Sequence, residues 1–128
     1  MIGLNNLEQA VLDKLLTGDH PILAVLRKQV SQTQLAKRKY TGAGFYCDFA
    51  VGSNAPTVEG DFEIGDVHAE LEGLNHGAGF VLFVRAGRLS MLEGYTYDEP
   101  WPAHIEGFSL RYSDPERRAE LEKLGRFS

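Results

Sequence analysis

The sequence has a single cysteine, Cys47, so no internal disulfide can form and a reducing cytosol suits the chain. Basic residues are in the minority: 13 Lys and Arg stand against 18 Asp and Glu, a formal charge of −5. Nucleic-acid binders carry a basic patch, and the one basic cluster here, Lys37-Arg38-Lys39, is short and reads as a solvated strand face. No apolar run approaches membrane-spanning length, and no basic segment followed by an apolar block opens the chain. Neither nucleic acid nor membrane is therefore expected as a partner, and the cytoplasm is the expected location. Familiar catalytic signatures are also missing. There is no Gly-x-Ser-x-Gly elbow, no Cys pair at metal-ligand spacing, and no glycine loop that follows a strand and opens a helix.

What is present suffices for one domain spanning 1–128, since 128 residues bury a core without metal or disulfide help. The chain is organised around 77–101. Phe80 to Val84 is an uninterrupted apolar run between Gly77-Ala78-Gly79 and Ala86-Gly87, as expected of a strand buried on both faces or nearly so. Leu89 to Tyr97 follows at once, so the two runs pair as an antiparallel hairpin. A two-residue loop at Ala86-Gly87 sets Leu82 opposite Met91, and a three-residue loop shifts the pairing by one. Strict alternation along the second run places Leu89, Met91, Glu93, Tyr95 and Tyr97 on one face, with Ser90, Leu92, Gly94 and Thr96 on the other.

Upstream, Asn5 and Glu8 have capping-box spacing ahead of a helical stripe that Gly18 stops, and Asp19-His20-Pro21 starts a second helix. The two helices form a lid for one sheet face. From about Gln34 the period becomes alternating: strands are expected over 35–40, 45–51, 62–64, 67–72 and 105–112, with a polar loop at 52–60 as the mobile segment. Ser113-Asp114-Pro115-Glu116 opens a short C-terminal helix. The fold class is α+β: two N-terminal helices, a mostly antiparallel curved sheet of five to six strands, and a short C-terminal helix.

Glu93 interrupts an aromatic and apolar face, which is costly unless the carboxylate reaches water or a partner. Either it sits near the sheet edge, or it serves in an aromatic-walled recess. Tyr95, Tyr97, Asp98 and Trp101 continue an aromatic and acidic tract of the kind found at recognition surfaces, and His76 and His104 fall in loops around the hairpin. These seven form the candidate binding set. His68, Glu70 and Glu72 share a strand face, but without a second histidine or a cysteine pair no metal is expected, and no cofactor is implied. Cys47 alternates with Phe45 and Phe49 and reads as a buried small hydrophobe. Gly-Ala-Gly-Phe occurs at 42–45 and 77–80, each time entering a strand, so the glycines serve a turn or a bulge.

Thr41-Gly42-Ala43-Gly44-Phe45, Gly65 through Leu74, His76 through Phe83, and Leu92-Glu93-Gly94-Tyr95-Thr96-Tyr97-Asp98 with Trp101-Pro102 resemble a group of small bacterial proteins of unknown function. The resemblance implies a compact bacterial cytoplasmic domain and brings no activity with it. Together these features lead to the expectation of a non-catalytic binding module. Its partner would be another protein, a basic one being favoured by the chain's charge, and its role of the immunity type. The alternative is a small-ligand-binding domain or enzyme using Glu93 and a loop histidine in a cleft.

Overall fold

The computed structural model describes residues 1–125. Among them are three helices and six strands: α1 (Asn6–Leu15), α2 (Pro21–Val30), β1 (Thr33–Tyr40), β2 (Gly44–Val51), β3 (Phe62–Leu71), β4 (Ala78–Arg85), β5 (Arg88–Thr96), β6 (Phe108–Tyr112) and α3 (Arg118–Gly125). The capping box closes α1: Glu8 N–H donates to Asn5 Oδ1 at 2.9 Å, and Asn5 N–H donates to Glu8 Oε1 at 3.0 Å. At the start of α2, His20 Nδ1 accepts from Ile22 N–H at 3.1 Å, and Pro21 occupies the first turn, where its missing N–H costs nothing.

The strands form one antiparallel sheet in the order β1-β2-β5-β4-β3-β6, so the expected α+β architecture is the observed one. The helices share one of its faces: α1 lies against β3 and β4, α2 against β5 and β1, and α3 against β3. Leu12, Leu15, Leu23 and Leu26 bury there against Phe80, Leu82, Val84 and Leu92. The opposite face carries no helix among the described residues. Val81 and Phe83 point to it and are only half-buried, so β4 alternates and is not buried on both faces.

The loop of the central hairpin has two residues, with Arg85 opposite Arg88 and Ala86 and Gly87 both at positive φ (51° and 73°). That geometry follows the right-handed twist of the strands it joins. Yet Leu82 pairs with Leu92 instead of Met91. Val84 pairs with Leu89 and Phe83 with Met91, so Ser90 is an extra residue, a bulge, and shifts the remaining register by one. The bulge also moves Leu89 to the core face, where it is 1% exposed, away from Met91, Glu93 and Tyr95. A second bulge joins what the sequence divides at Gly65. Ile64 pairs with Leu82 and Val67 with Phe80, so Gly65 and Asp66 together oppose Val81 within a single ten-residue strand. Asp66 is thereby buried beside Val67.

Three buried polar groups tie distant segments together. Asp66 receives a two-pronged pair from Arg117 (Nε–Oδ2 2.7 Å, Nη2–Oδ1 2.8 Å), and the same guanidinium donates to the Leu15 and Thr17 carbonyls at the end of α1. Glu8, 1% exposed, is gripped by Arg38, which thus leaves its lysine neighbours and turns toward the helices. Gln29 donates through Nε2 to the Pro56 and Gly87 carbonyls, both at 2.8 Å, and accepts from Leu89 N–H at 2.9 Å. That amide pins the 52–60 loop to the hairpin, as do Val58 N–H to the Gly87 carbonyl (3.2 Å) and the burial of Ala55. The segment expected to be mobile is held on both sides.

Candidate functional site

The candidate residues divide between the two faces of the sheet. Glu93 and Tyr95 lie on the helix-free face, in the middle of it, because β5 is a central strand. Glu93 is flanked by Tyr46 on β2 and Val81 on β4. It reaches water through the open face and not, as its type suggests, at a sheet edge.

Tyr95 owes its position to the two Gly-Ala-Gly-Phe segments. Gly44 and Gly79 stand opposite it on either side, while Phe45 and Phe80 stand opposite Gly94. The ring of Tyr95 covers Gly79 so closely that a Cβ there would come within 2.5 Å of its Cζ and hydroxyl. On the core face, a Cβ at Gly94 would come within 2.4 Å of the Phe45 ring. Glycine thus makes room for one aromatic layer above the sheet and another below it. Tyr97 stacks edge-on against Tyr95 with centroids 5.6 Å apart, and its hydroxyl hydrogen-bonds His68 Nδ1 at 3.2 Å. Burial, with Tyr97 and Glu93 adding to it, pushes the Tyr95 hydroxyl up to about 12, so it keeps its proton and remains a donor. Burial and the nearby Arg111 charge hold His68 below its ordinary value.

Trp101 lies on the other side. Its backbone N–H donates to the Gly42 carbonyl at 2.7 Å, and its indole packs edge-on against Phe45 (5.0 Å) and Phe80 (6.5 Å) on the helix-covered face. With His104 it lines a recess of about 560 Å³ between the start of α1 and the segment leading into β6. That segment was expected to be strand from Ile105 onward; β6 begins only at Phe108. Asp98, exposed and at positive φ (60°), forms the turn between the two faces.

His76 enters through its backbone. Glu99 accepts from Asn75 N–H at 2.9 Å and from His76 N–H at 3.0 Å, which clamps the 97–100 turn to the 73–77 turn. Those two N–H groups and the His76 charge hold the Glu99 carboxyl below its ordinary 4.5. A group depressed in the folded state stabilises above its unfolded pKa, and that contribution is lost as pH falls through the folded value. Carboxyl NMR should therefore show Glu99 titrating below the ordinary glutamate value. An ordinary titration midpoint would mean that the clamp is not formed.

Searches against protein-family models, curated proteins and solved structures found no match.

Glu93 and His104 face opposite sides of the sheet, so no single cleft holds both. Cys47 is fully buried between β1 and β5, and burial, with the Glu8 carboxylate adding to it, pushes its thiol up to about 12, far from a reactive thiolate. Among the described residues no group of three or more His, Cys, Asp or Glu is arranged to hold a metal. None of their helices is long and apolar enough to cross a membrane. The sequence reading missed Tyr46, Val81, Phe83 and Met91 as surface residues. The only available signal was their two-residue spacing, which the uninterrupted apolar run Phe80 to Val84 hides for Val81 and Phe83.

Proposed function

We propose that the chain is a non-catalytic binding module that engages another protein through the helix-free sheet face. One observation carries the reading: Tyr46, Val81, Phe83, Met91 and Tyr95 form a half-buried centre around the Glu93 carboxylate, with no covering element among the described residues, and Lys37, Lys39, Asp48, Glu63 and Arg111 ring it. An apolar and aromatic centre inside a charged rim is the anatomy of a protein interface. Tyr95 is the anchor, since its ring is already ordered over Gly79 and loses little freedom on binding. The net charge of −5 favours a basic partner and speeds encounter with it. A bacterial cytoplasmic protein that neutralises such a partner, as immunity proteins do, fits this surface and the resemblance noted above.

The test is capture of partners by the tagged protein, compared with Val81→Glu and Tyr95→Ser, both checked for folding by circular dichroism. A central contact of this kind should cost at least about 2 kcal/mol, roughly thirtyfold in affinity. A partner retained equally by both variants, or lost only with Trp101→Leu, would remove the sheet face as the binding surface.

A further inference from the structure

The recess around Trp101 is separate from that face. We propose that it takes a small organic cation, an alkylammonium ion with an apolar body. Its walls are aromatic: Tyr40, Phe45, Trp101 and Phe108. Of the four large hydrophobic residues most exposed in the described chain, Tyr40 (60%) and Phe108 (37%) both line it. Its volume, about 560 Å³, falls within the range of small-ligand pockets.

The charge of the ligand follows from the charges of the walls. No lysine or arginine lines the recess; His104 is the one basic side chain in its wall, and the two carboxylates there are Glu8 and Glu106. Glu8 is already neutralised, since both its oxygens are held by Arg38 and one also accepts from Asn5 N–H. Glu106 is exposed and has no ion-pair partner among the described residues, which leaves it as the charge of the site. The N-terminus of α1 opens on the same space, but its capping box is closed, so an anion would meet carboxylates and aromatic rings with only the exposed His104 to offer a countercharge. A cation finds the opposite: aromatic rings and an exposed carboxylate in the lining.

Trp101 is the only tryptophan, so its emission reports on this recess alone. Choline is the probe, and its carbon isostere, with tert-butyl in place of trimethylammonium, is the neutral control. Choline should change Trp101 emission saturably with a Kd of about 1 mM or tighter, and the isostere should bind at least about tenfold more weakly. Glu106→Gln and Tyr40→Leu alter exposed side chains and should each weaken choline about three- to tenfold. Val81→Glu, on the opposite face, should leave choline binding unchanged, which separates this site from the proposed interface. No saturation, equal binding of the isostere, or indifference to both recess variants would overturn the assignment. So would a response to a trimethyllysine peptide but not to choline.

Discussion

Arg117→Ala is expected to lower stability by about 3–5 kcal/mol, because removing one partner of a buried ion pair leaves the other charge uncompensated. The stranded group is Asp66, 5% exposed, and the Leu15 and Thr17 carbonyls lose their donor in the same step. Arg117 also stacks over Tyr112, with its guanidinium carbon 4.3 Å from the ring centroid, so the change loosens β6 and the end of α1 together. Denaturant melts measure the loss. A companion variant separates pairing from packing: Asp66→Leu combined with Arg117→Leu replaces the pair by apolar bulk and should recover much of the deficit. A single-variant loss below about 1 kcal/mol would show that Asp66 finds water in its place.

Gly87→Ala is the second large effect, at about 2–5 kcal/mol, from strain at positive φ together with a steric conflict. Gly87 sits at φ 73°, and a Cβ there would lie 1.7 Å from the Val58 carbonyl oxygen. The glycine backbone is also a junction: its N–H donates to the Gly60 carbonyl at 2.9 Å, and its own carbonyl accepts from Gln29 and Val58. Displacing it disturbs the α2 contact, the 52–60 loop and the hairpin at once. Gly87→Asn distinguishes the two causes, since asparagine tolerates a left-handed backbone but still carries a Cβ. If Asn restores stability, strain alone is responsible; if it fails as Ala does, the approach of Val58 governs.

Local signals in the sequence carried the element order: the Asn5–Glu8 box, Pro21 at a helix start, the Ala86-Gly87 turn and the switch to two-residue alternation near Gln34. Each of these acts over a few residues and leaves a mark in composition. Bulges leave almost none. Leu89 and Leu92 are three apart, and only the extra residue at Ser90 puts both in the core, so alternation misplaced Leu89. The polar ties were equally hidden, since Arg117 meets Asp66 across 51 residues and Gln29 meets Leu89 across 60. Of the candidate site, the aromatic and acidic tract was visible but its division between two faces was not. Tyr95 and Trp101 are six residues apart, and the positive-φ turn at Asp98 that sends them to opposite sides has no marker glycine.

The seating of Gly94 between two phenylalanines, and of Tyr95 between two glycines, works as a key cut across three strands. Sliding β5 by one residue would drive a tyrosine ring into the space held by Phe45 and Phe80 and leave bare backbone above the sheet. Residues 44, 45, 79, 80, 94 and 95 therefore cannot change size independently: a side chain added at 94 demands a smaller one at 45, and one added at 79 demands that 95 give way.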